Sequence, residues 1–378
     1  MDAPVENSTP FAEMSVGAHR VALLRDGEQA FPAMLAAIAG AQRTACLETY
    51  ILRDDSTGRR FGAALKERAA AGVEASLLYD AWGSSVSASF LQDLRDGGVH
   101  TLAFRPFDIS APFRKVARRD HRKALIVDGR IAFTGGLNLS DDYASPTKGG
   151  RGWRDTHLRF EGPAAAELEY FFLRTWRRAG GAPLDERRYS RGERRADPMV
   201  RIAGSEFRRR GRSITKEYRL AFEGARSRIL LTSAYFLPPL RLIHALSAAA
   251  RRGVDVQIMV AGTTDVPAVL FASRTIYGHL LAAGARMFEW RGRVLHAKTA
   301  VIDGRWSTIG SSNLDAQSLS QNLEVNAIIE HEGFASAMER MFAEDLEHCE
   351  EITADRWNQR AWWERAASWT AYLARDWL

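Results

Sequence analysis

Two of the nine histidines head the same short pattern. His121-Arg122-Lys123 is followed by Asp128, and His296-Ala297-Lys298 by Asp303, so both segments read H-x-K-x4-D. Lysine is scarce in this chain, yet two of its six lysines stand here. Each histidine is also followed, 17 residues later, by an asparagine, Asn138 or Asn313. These residue types suit phosphoryl-type transfer without a metal. A neutral imidazole can attack phosphorus, and a protonated one can give its proton to the leaving oxygen. Lysine and asparagine donors can hold the non-bridging oxygens as charge shifts. One pattern supplies one histidine, so both histidines must meet at one site. Asp128 and Asp303 complete the pattern as candidate catalytic residues, but each precedes a glycine, and an Asp-Gly pair is also what a tight turn requires.

The elements that position these residues follow from local spacing. "KALIVDGRIAFTG" and "KTAVIDGRWSTIG" read as strand, Asp-Gly turn, strand, a strong hairpin signal. Residues two apart on a strand share a face, so His121 projects with Lys123 and His296 with Lys298. Small residues surround each asparagine, in Gly135-Gly136-Leu137-Asn138 and Gly310-Ser311-Ser312-Asn313, and let an anion approach backbone donors. The correspondence extends over the chain as a repeat with a period near 180 residues. "GAQRTACLETYIL" aligns with "GARSRILLTSAYFL", "AAGVEASLLYDA" with "RRGVDVQIMVAG", and "WRDTHLRFEG" with "QNLEVNAIIEH". Within each half β-rich runs alternate with helical stretches such as "EQAFPAMLAAIAGAQRT" and "LRLIHALSAAARRG", the pattern of an α/β fold with helices flanking a mixed sheet. The predicted organisation is a first half over 1–180, a linker over 181–197 and a second half over 198–378, related by a pseudo-twofold with the site between them.

Composition narrows the class. The 378 residues are 46% hydrophobic and 26% charged, as in a packed globular chain, and the net charge of +6 favours an anionic partner. Two cysteines, Cys46 and Cys349, are too few for a disulfide framework. No apolar stretch approaches the roughly 20 residues of a spanning helix, and the acidic N-terminus lacks the apolar core of a signal peptide. Nucleotide-binding, serine-hydrolase and zinc-protease motifs are missing, and the remaining histidines do not cluster like metal ligands. His157, His244 and His279 read as packing or surface residues. The expectation is an enzyme with no metal and no cofactor.

Paired H-x-K-x4-D motifs resemble those of the phospholipase D superfamily, from about Val21 to about Phe342. The stretches "RVALLRDGEQAFPAMLAAIAGAQRTACLETYILRDDSTG" and "LTSAYFLPP" are similar to bacterial cardiolipin synthases, here of the shorter type without N-terminal transmembrane helices. The resemblance implies a phosphatidyltransferase that joins two phosphatidylglycerols through a phosphohistidine and releases glycerol. A phospholipid hydrolase and a nuclease of the same superfamily are the alternatives. It implies His121 and His296 as nucleophile and general acid/base, with His121 favoured as nucleophile. Lys123, Lys298, Asn138 and Asn313 would bind phosphate. Asp155 and Glu324 would orient the histidines, and as carboxylates they would favour imidazolium. The implied partner is an anionic phospholipid membrane surface rather than nucleic acid, met peripherally on the cytoplasmic side of a bacterial cell membrane. Two features agree with a bilayer partner. One is the basic run Arg114, Lys115, Arg118, Arg119 and Arg122, with Phe104, Phe107 and Phe113 nearby. The other is the tail, with Trp357, Trp362, Trp363, Trp369 and Trp377 among arginines. The tail aromatics could equally pack onto the domain, and oligomeric state is left open.

Overall fold

The computed structural model describes residues 13–106, 118–190, 197–205, 214–264 and 266–373. The first eight strands are β1 (Met14–Val16), β2 (His19–Arg25), β3 (Thr44–Thr49), β4 (Glu74–Asp80), β5 (His100–Phe104), β6 (Ala124–Val127), β7 (Ile131–Gly135) and β8 (Thr156–Glu161). They form one mixed sheet in the order β1-β2-β8-β7-β6-β3-β4-β5. The next are β9 (Val200–Gly204), β10 (Arg228–Ser233), β11 (Phe236–Leu237), β12 (Asp255–Ala261), β13 (Arg286–Trp290), β14 (Lys298–Ile302), β15 (Trp306–Gly310), β16 (Leu314–Asp315), β17 (Val325–Glu330) and β18 (Cys349–Ile352). The second large sheet runs β9-β17-β15-β14-β10-β12-β13-β18, while β11 and β16 pair with each other. From β2 or β9 onward the two orders match strand for strand, so the sequence repeat is a structural repeat.

The reasons are local. In each sheet three parallel strands, β3-β4-β5 or β10-β12-β13, are joined through helices, as a parallel crossover demands. Helix Ser56–Ala70 is capped by the Asp55 carboxylate, which accepts from Gly58 N. Helix Leu240–Arg251 ends where Gly253 takes a φ of +90°. Helix Asp26–Ala39 is shorter than its apolar spacing suggests, because the chain turns at Gly40 and enters β3 at Thr44. Both Asp-Gly hairpins are present. Asp128 and Gly129 have φ of +54° and +63°, Asp303 and Gly304 of +53° and +61°, the left-handed pair such a turn needs.

The halves meet across a shared core. Phe160, Leu168, Phe172 and Trp176 from the first half pack with Val325, Ile329, Phe334 and Met338 from the second. Helix Pro163–Arg178 lies against β9 of the opposite sheet. Two buried arginines cross the seam. Arg122 donates to Thr175 Oγ1 (2.7 Å), to Ser205 O (3.0 Å) and to Glu324 O (3.3 Å). Arg154 grips Asp345 through Nε (2.9 Å) and Nη2 (2.6 Å). Paired buried charges hold register well, because removing one partner strands the other in low dielectric.

Several expectations about membrane-facing residues are corrected here. Arg119 and Arg122 are buried, not surface cations. Arg119 pairs with Asp80 (3.1 Å) and Arg122 with Glu48 (3.9 Å). Trp357 is core: it stacks on Tyr277 at 5.0 Å beneath the Arg360 guanidinium. Trp362, Trp363 and Trp369 on helix Trp362–Leu373 are exposed, and Tyr372 turns partly inward. Arg114, Lys115, Phe107, Phe113 and Trp377 lie outside the described residues. Among the described residues no helix is long and apolar enough to cross a membrane.

Candidate active site

Register places both histidines at one end of their sheets. β6 runs antiparallel to β3 with Ala124 opposite Glu48, and β14 antiparallel to β10 with Lys298 opposite Ser233. The segments leading into β6 and β14 therefore lie beyond the carboxyl ends of the parallel strands. His121, Lys123, His296 and Lys298 are all buried there. Lys123 Nζ donates to His121 O (2.6 Å), and Lys298 Nζ to His296 O. Period-two alternation thus puts His and Lys side by side in each half, as the spacing predicts.

The carboxylates are exchanged between halves. His121 Nδ1 lies 2.9 Å from Oε1 of Glu324 in the second half. His296 Nδ1 lies 2.7 Å from Oδ2 of Asp155 in the first. Backbone bonds fix the exchange. His121 N donates to Leu323 O (2.9 Å), and Leu323 N to Arg119 O (2.9 Å). His296 N donates to Arg154 O (2.7 Å), and Arg154 N to Val294 O (2.8 Å). Each histidine segment is laced to the strand that carries the other half's acid, so neither half alone assembles a histidine–carboxylate pair. With Nδ1–H donated to a carboxylate, the free lone pair of a neutral ring is on Nε2.

The shorter Asp155 reaches its histidine because the position beside it is glycine. A Cβ on Gly136 would stand 2.2 Å from Asp155 Oδ1. The repeat counterpart of Gly136 is Ser311, and its hydroxyl donates to Glu324 Oε2. Around His296, Tyr143 and Trp153 form an aromatic wall with ring centroids 5.4 and 6.0 Å away, and Tyr143 Oη lies 3.3 Å from His296 Nδ1. Around His121, Tyr50 packs edge-on at 4.7 Å. Tyr50 stood in the aligned repeat stretches and could have been singled out from its match to Tyr235. Tyr143 lies in a segment without a close repeat counterpart, and Trp153 stands opposite Asn322 in the aligned stretches, so no shared residue type marked them.

The two asparagines behave differently. Asn138 Oδ1 accepts from Ile51 N (3.0 Å) and its Nδ2 donates to Tyr143 Oη (2.7 Å). Its amide is therefore built into the wall beside His296 rather than held ready for an anion. Asn313 is buried, and its Oδ1 meets no donor among the described residues.

Burial is the dominant electrostatic influence. It pushes both imidazoles down, and the Lys123 and Lys298 ammonium groups push further. His121 is held well below the ordinary histidine value and His296 at about 4. Asp155 favours the His296 imidazolium, as expected of a carboxylate, but desolvation outweighs it and the net shift is downward. Burial also pushes Glu324 up to about 8 and Lys123 down to about 7. For Asp155 burial acts upward, but His296, Lys298 and the Thr156 amide outweigh it and hold the carboxyl below its usual range. Asp155 and His296 thus differ from the other pair in direction: here the carboxyl is held down, whereas Glu324 is pushed up.

Asp128 and Asp303 are not part of the site, contrary to the expectation from the motif. Asp128 lies at the far end of β6, five residues from Lys123, which at about 3.3 Å per residue is roughly 16 Å away. Its carboxylate accepts from Gln42 N (3.0 Å), Arg43 N (2.7 Å) and Thr44 N (2.9 Å). Asp303 accepts in the same way from Arg226 N, Ser227 N and Arg228 N at 2.8–2.9 Å. Each aspartate ties its hairpin turn to the start of the neighbouring strand. Asp303→Ala is expected to destabilise the fold by about 1–3 kcal/mol, the range for charge-assisted bonds, and to leave turnover of the folded enzyme nearly intact. Denaturant midpoints beside kcat check this; unchanged stability with lost turnover would return Asp303 to the chemistry. His157 is buried, and His244 and His279 are exposed, all outside the paired carboxylates.

Comparison with known proteins agrees with this geometry. The family model described as "Cardiolipin synthase, PLD-like domain" matches residues 34–149 and 219–346, one stretch in each half. The chain is 35% identical over 363 residues to cardiolipin synthase B of Escherichia coli (strain K12), covering 94% of this chain and 87% of that protein. It is 33% identical over 355 residues to a cardiolipin synthase of Halalkalibacterium halodurans, covering 93% and 71%. Among solved structures, phosphatidylserine synthase of Haemophilus influenzae Rd KW20 superposes with a TM-score of 0.73 at 12% identity, over 97% of this chain and 96% of that one. Polyphosphate kinase of Porphyromonas gingivalis shares the fold at a TM-score of 0.62 and 14% identity, over 94% and 54%. With the two half-sites, the exchanged carboxylates and these relatives together, the chain belongs to the cardiolipin synthase family of phospholipase D-like proteins.

Proposed function

We propose that this chain is a phosphatidyltransferase that makes cardiolipin from two phosphatidylglycerols and releases glycerol. The observation that carries the reading is the pair of buried imidazoles, each held by a carboxylate from the opposite half and flanked by its own lysine. His121 Nε2 attacks phosphorus, and the bond from phosphorus to the departing glycerol oxygen breaks. The His296 imidazolium gives that oxygen its proton. The terminal hydroxyl of a second phosphatidylglycerol then gives its proton to His296 and attacks, and the phosphorus–nitrogen bond breaks. Lys123 and Lys298 hold the non-bridging oxygens, with Asn313 beside them. Asn138 serves through Tyr143 as a positioning residue for His296 instead of touching phosphate. An anionic phosphate entering the pocket opposes the burial that lowers Lys123 and His296, so substrate itself favours the charged acid.

We assign the bilayer as the partner, met peripherally at its cytoplasmic face. Exposed Trp362, Trp363 and Trp369 on the last described helix suit an interfacial contact.

Incubation of the purified chain with phosphatidylglycerol, phosphatidylethanolamine vesicles and DNA, with products read by mass spectrometry, tests the reading. Cardiolipin and glycerol from phosphatidylglycerol are expected. Phosphatidate alone would make water the acceptor and the chain a hydrolase. Cleaved DNA with untouched lipid would make it a nuclease.

A further inference from the structure

The histidine segments lie beyond the carboxyl ends of the parallel strands, and the segments leaving those ends carry large apolar side chains in water. Trp82, two residues beyond β4, is 62% exposed. Leu240, beyond β11, is 59% exposed, and Val266, beyond β12, is 37% exposed. These segments come from both halves and leave the same carboxyl ends of the parallel strands beyond which His121 and His296 lie.

Trp82 is held there by a rigid turn. Asp80, fully buried, accepts from Trp82 N (2.8 Å) and Gly83 N (3.2 Å) through Oδ1. Gly83 lies so close to Tyr50 that a Cβ would stand 2.5 Å from Tyr50 O. Tyr50 in turn packs on His121. Trp82 is therefore linked to His121 through Gly83 and Tyr50, yet its own ring is largely exposed. In the second half β11 pairs with β16, which follows Asn313, and Pro238-Pro239 leads directly to Leu240. Thr264, near Val266, lines the same small cavity as Tyr235 and Phe236.

An exposed indole and an exposed leucine gain free energy when an apolar surface covers them. A water-soluble substrate would gain nothing from them outside the pocket. Two exposed cations neighbour these segments in the chain: Arg118, just before the His121 segment, and Arg241, just after Leu240. Apolar side chains interleaved with cations, on a chain of net charge +6, complement an anionic lipid surface.

We propose that Trp82, Leu240 and Val266 form an edge that enters the headgroup–acyl boundary and seats the mouth of the site on an anionic bilayer. A phospholipid phosphate then reaches His121 while its acyl chains stay in the membrane. The edge rests on the phosphatidyltransferase reading for its purpose, but its contact with lipid is measurable without turnover.

The test uses the full chain and its Trp82→Ala/Leu240→Ala and Trp362→Ala/Trp363→Ala variants. Binding to vesicles of phosphatidylglycerol and phosphatidylethanolamine is read by sedimentation. Activity is read on the same vesicles and on dihexanoyl phosphatidylglycerol dissolved as monomers. The Trp82/Leu240 variant is expected to bind vesicles about tenfold or more weakly and to lose vesicle turnover in proportion, while turnover of dissolved lipid stays within about twofold of the parent. Parent-like vesicle binding in that variant overturns the proposal. So does loss of binding confined to the Trp362/Trp363 variant, or a change in oligomeric state by light scattering with vesicle binding intact. If the parent turns over neither lipid form, the transferase reading falls, and the binding measurement still decides the edge.

Discussion

His121→Ala is expected to abolish turnover and covalent labelling together, whereas His296→Ala loses turnover but keeps the capacity to be labelled. The expected loss in kcat is about 10^4-fold or more for His121, where the attacking atom itself is gone. For His296 it is about 10^2–10^4-fold, the range for a general acid. The two half-sites are nearly symmetric, so the assignment rests on their differences. The Asp155 carboxyl beside His296 is held below its usual range, which suits an imidazole that must carry a proton. Glu324 is pushed up to about 8, so an added proton resides on the carboxyl side and leaves His121 uncharged. Its Nε2 attacks once the pair has lost that proton and Nδ1–H is donated to the carboxylate. Radiolabelled or fluorescent phosphatidylglycerol, quenched in acid-free conditions and followed on gels, separates the cases. Labelled His121→Ala with unlabelled His296→Ala would exchange the roles.

The second large effect is expected from the exchanged acids. Glu324→Gln and Asp155→Asn keep the shape of each side chain but remove its charge and offer the ring an amide. The Nδ1–H tautomer is then no longer enforced, and kcat is expected to fall by about 10^2–10^4-fold with the fold intact. The pH profile distinguishes orientation of the ring from mere packing. Activity of the parent is expected to be bell-shaped, with limbs that belong to coupled pairs. The acid limb reports the His296–Asp155 pair, whose imidazole is held at about 4 in the empty site. The alkaline limb reports Glu324, pushed up to about 8, together with Lys123 at about 7. As pH rises through the alkaline limb the last shared proton leaves the site. Glu324→Gln is expected to displace that limb, and Asp155→Asn the acid one. Reduced activity with both limbs unmoved in both variants would assign the acids a structural role only.

Much of the architecture was legible in the chain. Period-two spacing put His121 beside Lys123 and His296 beside Lys298. Two Asp-Gly pairs marked hairpins, and the ordered repeat announced two similar α/β halves. These features depend on backbone geometry over a few residues, which is why local sequence carries them. The same locality explains the errors. Asp128 and Asp303 keep a fixed distance from their histidines in sequence, but a strand carries them away from the site and into turns that bind backbone amides. Arg119 and Arg122 read as a basic patch, yet the seam between halves buries them against Asp80, Glu48 and backbone carbonyls. Trp357 read as interfacial, but Tyr277 covers it.

Local sequence reveals which side chains share a strand and how often the unit recurs. Which histidine meets which acid was decided only by tertiary structure. Glu324 lies 203 residues from His121, and Asp155 lies 141 from His296. No propensity or spacing reaches across such distances. The pairing is exchanged because each H-x-K segment hydrogen-bonds through its backbone to the acid-bearing segment opposite, while a common apolar core and two buried arginines fix the halves at that register. Burial then shifts His121, His296, Lys123 and Glu324, and burial exists only once both halves have closed over them.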